Sequence, residues 1–122
     1  MENCVFCKKK NHFYLNGQYA VAVFDEFPVS IGHTLIIPKR HVESLFELTD
    51  EELKDIYTLI VQSKNKLDEL YKPDGYNIGI NEGRAAGRTI DHVHIHIIPR
   101  YIGDVENPRG GIRGVIPDKK EY

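Results

Sequence analysis

The chain has 122 residues and a formal net charge of -2 at pH 7, with 28% charged and 41% hydrophobic residues. This length predicts one domain with its own hydrophobic core, and the small size makes self-association physically reasonable. The charge balance provides no basic field of the kind that nucleic-acid-binding proteins use, so we expect no nucleic acid partner. No apolar run approaches the roughly 20 residues that cross a membrane, and the N-terminal residues lack a signal sequence. We therefore expect no membrane partner and a cytoplasmic location.

Taken in chain order, the first feature is a Cys-x-x-Cys pair, Cys4 and Cys7, which are the only cysteines. In a reducing compartment such a pair is more often a metal-binding clip or a redox pair than a structural disulfide. A thioredoxin-like role requires the pair to open a helix after a strand, which is not predicted here. We favour half of a zinc site over unliganded thiols.

Residues 11–27 are predicted to form a hairpin, because strand-like segments at 12–15 and 18–24 flank the pair Asn16-Gly17. An Asn-Gly pair suits the positive φ angles of a tight type I′ turn. After a loop that contains proline and glycine, residues 33–37 predict a third strand, which stops at Pro38.

A long helix is predicted next, starting where Thr49 and Glu52 have the spacing of a capping box. It should run for about 20 residues and end before Pro73 and Gly75. One apolar stripe at helical spacing is expected to pack on a sheet; it comprises Leu53, Ile56, Tyr57, Ile60, Leu67, Leu70 and Tyr71.

Residues 76–81 predict a further strand, with Tyr76, Ile78 and Ile80 on one face. The loop at 82–89 is polar and rich in glycine, and such loops can offer backbone N–H groups to an anion. The order of elements favours an α+β fold, an antiparallel sheet of about five strands with one long helix on one face.

Residues 91–99 hold three of the six histidines on alternate positions. In a strand these side chains share one face at steps of roughly 6.6 Å, and the intervening apolar residues form the core-facing row. The histidines are His92, His94 and His96, and the apolar residues are Val93, Ile95 and Ile97. An exposed strand face could carry a single histidine by chance, but it is a poor explanation for three histidines in register. The pattern fits two kinds of site. One is a pair of histidines that chelates a metal ion, and the other is a rigidly held histidine that acts as a nucleophile or as a general acid or base; the strand alone does not distinguish the two.

The last segment, residues 101–122, contains enough glycine and proline to argue against a helix or a long strand. Arg100, Arg109 and Arg113 place cations close behind the histidines. The segment is either a mobile terminus or an arm that packs on the body or on a partner subunit and brings an arginine to a bound phosphate.

The segment from His92 to Ile98, with apolar residues at every spacer position, resembles the signature of the histidine triad (HIT) family of nucleotide hydrolases and transferases. The similarity extends upstream through residues 32–41, 81–83 and 87–89, and covers roughly residues 4–100. It implies a HIT-like catalytic domain at 1–100, with 101–122 as a C-terminal extension of the same domain.

The resemblance implies that His94 attacks the α-phosphorus of a purine nucleoside polyphosphate, phosphoramidate or adenylate. Water or another acceptor would then resolve the nucleotidyl-histidine, and neutral imidazole is a competent nucleophile near pH 7. His96 would bind a phosphate oxygen or the leaving group, and His33 would support it. The implied substrate-binding residues are Asp25, Asn81, Gly87, Arg88 and Thr89.

The resemblance also implies a structural zinc ion, no organic cofactor, and a homodimer with the long helix and one strand of each subunit at the interface. The zinc ligands would be Cys4, Cys7, His41 and His92. Such a Cys₂His₂ set is tetrahedral and closed, so it would hold the N-terminal segment rather than activate water.

Two departures from the family pattern concern Arg88, which stands where many members carry glutamine, and the absence of tryptophan from the C-terminal segment. Arg88 either adds positive charge for a polyphosphate or faces solvent, and His12 has no assigned role. One alternative function is a non-catalytic nucleotide-binding module. Another is a catalytic zinc enzyme with the histidine row as ligands, although three alternate strand positions span about 13 Å, which is too far for one ion.

Overall fold

The computed structural model describes residues 3–9 and 12–122. Its sheet has five strands in the order β1-β2-β3-β5-β4, and every neighbouring pair is antiparallel. The strands are β1 (Leu15–Asn16), β2 (Ala20–Phe24), β3 (Thr34–Pro38), β4 (Gly75–Gly79) and β5 (Ile95–Arg100). The α-helices of the described part are the short α1 (Val5–Lys9) and the long α2 (Asp50–Tyr71), which covers one face of the sheet. The predicted α+β fold is therefore confirmed.

The hairpin between β1 and β2 differs from the prediction, whose first residue, Asn11, lies outside the described residues. The backbone N–H of Gly17 donates to the Ala20 carbonyl at 2.8 Å, and neither Asn16 nor Gly17 has a positive φ. The predicted two-residue type I′ turn is therefore wrong. A longer turn is stabilised by the carboxylate of Asp55 in α2, which accepts the backbone N–H of Tyr19 at 2.7 Å and that of Ala20 at 3.0 Å.

Helix α2 begins as its sequence predicts. The Thr49 hydroxyl accepts the backbone N–H of Glu52 at 3.1 Å, and the Glu52 carboxylate accepts the Thr49 N–H at 2.9 Å. At the other end, Lys72 adopts a left-handed conformation with φ 51° and donates its N–H to the Asp68 carbonyl. The helix spans 22 residues.

Glu52 should contribute more to stability than an ordinary capping residue. Its side chain is 3% exposed and also accepts two hydrogen bonds from Arg40, at 2.8 and 3.2 Å, and these bonds lower the pKa of its carboxyl group. We expect Thr49→Ala to lower the free energy of unfolding by about 1 kcal/mol. Glu52→Ala should lower it further, because it removes the acceptor of both the Thr49 N–H and the Arg40 guanidinium.

The pH dependence of stability provides the control for Glu52. Because the folded pKa lies below the unfolded value, the charged form stabilises the fold above the unfolded pKa, and this contribution disappears as pH falls through the folded pKa. Chemical denaturation of the wild type should therefore show a loss of stability on acidification that is smaller in Glu52→Ala. An equal loss in both proteins would contradict this role.

The predicted apolar stripe of α2 is only partly correct. The buried face consists of Glu52, Ile56, Leu59, Ser63 and Leu67, which pack toward the sheet. Within the predicted stripe, Leu53 is 41% exposed, Tyr57 68% and Leu70 50%. Leu53 and Tyr57 are rotated around the helix from the buried row, so α2 carries a second apolar strip that the described chain leaves uncovered. Leu70, two turns after Ser63, lies on the side of the buried row instead.

The histidine segment keeps its predicted alternation but not its predicted strand length. Val93, Ile95 and Ile97 are buried in the core under α2, as expected. Pairing with β3 starts only at Ile95, so the prediction that the strand includes His92 is wrong. The reason is local, since the Val93 N–H donates to the Val42 carbonyl in the segment after β3.

The opposite face of the sheet carries a smaller apolar cluster, formed by Phe6, Val21, Val23, Leu35 and Ile37. Phe6 belongs to α1, a helix that the sequence analysis did not predict, and is 4% exposed. Helix α1 therefore lies on the face of the sheet that also carries the histidines.

The C-terminal segment contains short 3₁₀ turns at Gly111–Val115 and Pro117–Lys119, the first of which contacts β4. Arg113 lies over the Tyr122 ring at 4.7 Å. It also donates to the backbone carbonyls of Lys119 and Lys120. In the structure this arm therefore lies on the body. None of the helices in the described ranges is both long enough and apolar enough to cross a membrane.

Candidate functional site

The predicted catalytic and substrate-binding residues gather around one cavity of about 260 Å³, called here the histidine cavity. Its walls are α1, the loop between β2 and β3, the loop at 81–90, and the histidine segment. Seven predicted residues line it: Asp25, Asn81, Gly87, Arg88, Thr89, His94 and His96. His33 lies behind the wall and contacts His96. The structure thus brings these residues together at one site, and their individual roles remain predictions.

A larger and more open depression, about 880 Å³, lies beside the cysteines. Cys4, His41 and Thr89 are among its lining residues, and the catalytic histidine candidates are not. The smaller cavity is therefore the candidate site, because it contains the convergent titratable groups.

The hydrogen bonds of His94 define its tautomer. Its Nδ1 lies 2.8 Å from the His92 carbonyl oxygen, which can only accept, so Nδ1 carries the proton. The other ring nitrogen, Nε2, then has a lone pair. The side chain is 8% exposed, and burial lowers the pKa of His94, with a smaller lowering from the Arg88 charge. His94 is thus a neutral imidazole with one nitrogen available for attack.

A second chain of hydrogen bonds fixes His33 and His96. The Val29 backbone N–H donates to His33 Nδ1 at 3.1 Å, so the proton of His33 is on Nε2. That proton is donated to His96 Nδ1 at 3.0 Å, which leaves the proton of neutral His96 on its Nε2. Burial, followed by the neighbouring histidines, lowers the pKa of His96 to about 4. His96 therefore presents a neutral donor at pH 7.

Asp25 approaches the same chain of histidines. One of its carboxylate oxygens accepts the Phe27 N–H at 2.9 Å, and the other lies 3.5 Å from His33 Nε2. Ligand atoms of Asp25, His33 and His96 lie within 4.8 Å of one another. A metal ion there would need the lone pair of His33 Nε2, and the Val29 N–H would then face a protonated Nδ1. The hydrogen bonds thus disfavour a metal among these three residues.

The loop at 83–91 is shaped by two glycines. Gly83 has φ 91° and Gly87 has φ 98°, on either side of the 3₁₀ turn Arg84–Ala86. Side chains other than glycine are strained at such angles. The loop is closed by an ion pair of 2.7 Å between Arg84 and Asp91. The glycines thus bring the backbone of this loop to the edge of the histidine cavity.

Arg88 does not face solvent, so that alternative is wrong. Its side chain is 12% exposed and lines the histidine cavity. It donates to the Glu43 carbonyl at 2.8 Å and lies 3.4 Å from the Asp91 carboxylate. These contacts hold the loop against the segment that follows β3 and place a cation in the wall.

The predicted metal ligands form a separate cluster. Ligand atoms of Cys4, Cys7, His41 and His92 all lie within 4.8 Å of one another. His41 Nδ1 is 3.2 Å from Cys7 Sγ, and His92 Nδ1 is 3.3 Å from Cys4 Sγ. The fully buried His92 donates from Nε2 to the Pro38 carbonyl at 2.8 Å, which leaves a lone pair on Nδ1 toward the sulfurs. Two thiols and two imidazoles fit a tetrahedral zinc ion, and a carbonyl partner like that of His92 is typical of a ligating histidine.

The three alternating histidines therefore belong to two sites. His92 turns toward the cysteines, whereas His94 and His96 line the histidine cavity. This arrangement does not support one catalytic zinc ion on all three.

The arginines near the C-terminus do not enter the histidine cavity of their own chain. Arg100 donates to Asn77 and pairs with Asp104 at 2.8 Å, and Arg109 lies over the Tyr122 ring. None of the described residues beyond 100 lines the cavity. His12 is exposed and does not line the cavity either.

Several residues that line the cavity were not predicted from the sequence. The most informative is Phe6, whose ring lies 4.6 Å from that of His94 in an edge-on arrangement. Lys9 pairs with Glu26 at 2.7 Å across the edge of the cavity. The other additional lining residues are Val5, Phe27, Leu35 and Ile90. The available signal for Phe6 was an apolar residue inside the Cys-x-x-Cys pair.

Comparison with known proteins agrees with this geometry. The HIT domain matches residues 8–103. The bis(5'-adenosyl)-triphosphatase of Dictyostelium discoideum is 35% identical over 81% of this chain and 66% of its own length. The adenosine 5'-monophosphoramidase hnt1 of Schizosaccharomyces pombe is 38% identical over 80% of this chain and 74% of its own. A zinc-bound histidine triad protein of Mycobacterium smegmatis superposes with a TM-score of 0.77 at 30% identity, covering 87% of this chain and 81% of that one. With its paired histidines around one cavity and a family match over most of its length, the chain belongs to the HIT domain family.

Proposed function

We propose that the chain is a nucleotide hydrolase that acts at the α-phosphorus of a purine nucleotide through a nucleotidyl-His94 intermediate. The observation that carries the proposal is the tautomer of His94. Its proton is held on Nδ1 by the His92 carbonyl, so Nε2 has a lone pair in a cavity whose lining includes Gly87 and the Arg88 cation. We assign the catalytic unit to residues 1–100 and 101–122 to an extension of the same domain, an assignment that the contact of 111–115 with β4 supports.

The reaction has two balanced steps. In the first, His94 Nε2 forms a bond to phosphorus, and the bond from phosphorus to the leaving oxygen breaks. A polyphosphate leaves as an anion, so it needs only the hydrogen bond that His96 Nε2–H can donate. In the second step, water attacks phosphorus, its proton passes to solvent, and the bonding electrons return to His94 Nε2. In a nucleotidyl transfer, the second step would differ only in that another acceptor attacks phosphorus in place of water.

The remaining residues have binding roles. Thr89 and Asn81 supply polar side chains, and Gly87 lets the loop backbone approach the phosphate. Arg88 adds a cation that favours a highly charged phosphate chain. Asp25 is placed to accept ribose hydroxyls with the oxygen that lies near His33. His33 orients His96 without touching the substrate.

The relatives support the substrate class. The Dictyostelium relative is a bis(5'-adenosyl)-triphosphatase and the fission yeast relative an adenosine 5'-monophosphoramidase, so both act on adenosine nucleotides. We infer a purine nucleotide for this chain. Of the substrates in the two relatives' names, we favour a polyphosphate over a phosphoramidate for this chain, because the Arg88 cation in the cavity wall attracts the additional negative charge of a phosphate chain.

We also propose a structural zinc ion on Cys4, Cys7, His41 and His92. With all four tetrahedral positions taken by protein ligands, the ion supplies no activated water and instead anchors α1 to the body. The fit of the donor atoms supports this assignment.

The experiment is mass spectrometry of the protein after brief mixing with adenylylated substrates. An adenylyl group on a histidine supports the hydrolase. Binding of AMP without any adduct or turnover would instead identify a non-catalytic nucleotide-binding module.

We propose that the uncovered strip of α2 and the adjacent strand β4 form the interface of a homodimer. Leu53 is 41% exposed, Tyr57 68%, Val61 40%, and Ile78 of β4 46%. Leu53, Tyr57 and Ile78 line a shallow apolar depression of about 370 Å³ that also includes Ile60, and Val61 follows Tyr57 by one helical turn. An apolar surface of this kind on a small protein is typical of an interface, and a two-fold dimer is the commonest way to cover it.

Val61→Glu should convert the dimer to a monomer, because each interface would bury two unpaired carboxylates. Sedimentation or light scattering at micromolar concentration measures the mass. Val115→Glu is the control, since Val115 is 74% exposed on the C-terminal segment. A wild-type protein with monomeric mass would contradict the interface.

A further inference from the structure

The wall of the histidine cavity contains a charged pair that the proposed reaction does not use. Lys9, the last residue of α1, donates to the Glu26 carboxylate at 2.7 Å, and both residues line the cavity. The Lys9 side chain is 13% exposed and that of Glu26 66%. The pair therefore lies at the rim, with the lysine largely covered and the carboxylate open to solvent.

The groups that line the cavity divide by the element that carries them. The groups proposed to bind phosphate come from the loop at 81–90 and from the histidine segment. Most of the apolar side chains come instead from α1, β3 and the loop between β2 and β3; they are Val5, Phe6, Phe27 and Leu35. An apolar side of this kind suits the faces of an aromatic base, and the Lys9–Glu26 pair belongs to the same elements.

The proposed contacts follow the order of the parts of a nucleotide. His94 would bond to phosphorus and Asp25 would accept the ribose hydroxyls, and Glu26 is the next residue along the same loop. Because the ribose separates the phosphate from the base, a base that extends beyond Asp25 reaches the Lys9–Glu26 pair. Phe27 follows directly, and its ring is 83% exposed and available for stacking.

The hydrogen-bonding groups of the pair match guanine. An ammonium group can only donate, and an ionised carboxylate can only accept, through two oxygens. Within the described part of the chain, only one of the two Glu26 oxygens has a hydrogen-bond donor. Guanine presents one acceptor, O6, next to two donors, N1–H and the N2 amino group. O6 can therefore face Lys9 while both donors face the Glu26 carboxylate.

Adenine does not match this pattern. It has an amino group in place of O6, which would place a donor against the Lys9 ammonium. Its N1 carries a lone pair, which would face the Glu26 carboxylate, and its C2 has no amino group. A site whose polar groups pair with one base disfavours the base that leaves them unpaired. AMP keeps the phosphate and ribose contacts, so it remains a ligand of lower affinity.

We propose that Lys9 and Glu26 determine base specificity and make the chain prefer guanine nucleotides over adenine nucleotides. The preference rests on the proposed hydrolase and narrows its purine substrate to one base. It also separates this chain from the two relatives that act on adenosine nucleotides.

Calorimetric titration with GMP, IMP and AMP tests the preference without turnover. IMP has O6 and N1–H but lacks the N2 amino group. The wild type should bind GMP about tenfold more tightly than AMP, with IMP between them, which is the scale of one hydrogen bond to a charged group at a partly exposed site.

Glu26→Gln should lower the ratio of GMP affinity to AMP affinity about tenfold. A carboxamide offers one acceptor and one donor, which is the pattern that pairs with adenine. Glu69→Gln is the matched control, since Glu69 is exposed on α2 and does not line the histidine cavity. It should keep the wild-type ratio.

Lys9→Met examines the other half of the pair. It should lower the affinities for GMP and IMP relative to that for AMP, because only the first two nucleotides carry O6. An equal loss for all three nucleotides would place Lys9 on the phosphate and would overturn its contact with the base.

The outcomes separate base specificity from the proposed function. Equal affinities of the wild type for GMP and AMP, a preference for AMP, or an unchanged ratio in Glu26→Gln would overturn the guanine preference. The hydrolase would stand, because the adduct on His94 can form with either base. A wild type that binds none of the three nucleotides and forms no adduct from adenylylated or guanylylated substrates would overturn the proposed function itself.

Discussion

Replacing His94 by alanine should lower turnover at least about 10³-fold and abolish the adenylyl adduct, because no other group can form the covalent bond. AMP affinity should change little. Loss of the imidazole leaves Asp25, Arg88 and the glycine loop in place. Rapid quenching followed by mass spectrometry measures the adduct, and steady-state release of AMP measures turnover.

His12→Ala is the matched control, since His12 is exposed and lies outside the histidine cavity. It should keep full activity and form the adduct. His96→Ala should still form the bond to phosphorus, more slowly, because it loses a hydrogen bond rather than the nucleophile. An adduct that persists in His94→Ala would assign the nucleophile elsewhere.

The parts of the fold that the sequence predicts well are those determined by local chemistry. The capping box at Thr49 and Glu52 specifies where α2 begins, because both partners lie within one helical turn. The alternation of Val93, Ile95 and Ile97 is likewise a local pattern with one solution on a sheet.

The errors arise where a distant residue competes with a local preference. Asn16-Gly17 favours a two-residue turn, but Asp55 in α2 accepts two N–H groups that only a longer turn presents together. Apolar spacing in α2 does not distinguish the strip facing the sheet from the strip left uncovered, since Leu53 and Ile56 are both apolar. Separating them requires the position of the sheet.

The candidate site shows the same division. The resemblance names the residues that line the histidine cavity, but it does not say that His92 turns away from His94 and His96. That separation depends on the Pro38 carbonyl and on the cysteines, more than 50 residues away in sequence. Helix α1 was missed because five residues cannot form a stable helix alone.

Loss of the proposed zinc ligands should weaken nucleotide binding, although their cluster lies outside the histidine cavity. Cys4 immediately precedes helix α1 and Cys7 lies within it, while Val5, Phe6 and Lys9 of the same helix line the cavity. A helix this short is held by its contacts, so without zinc its residues leave the wall. We expect Cys4→Ser with Cys7→Ser to lower AMP affinity about tenfold, a coupling of typical size, while the sheet stays folded.

Thermodynamic linkage requires the reverse effect, which tests the coupling without any activity measurement. If zinc strengthens AMP binding tenfold, AMP must strengthen zinc binding by the same factor. Calorimetry of AMP binding to zinc-loaded and zinc-stripped protein measures one direction, and competition with a colorimetric chelator, with and without AMP, measures the other. Lys8→Ser is the control, because Lys8 lies exposed on the same helix and outside both sites. Equal AMP affinity with and without zinc would show that α1 holds its place by packing alone, through Phe6 in the apolar cluster of the sheet and against the His94 ring.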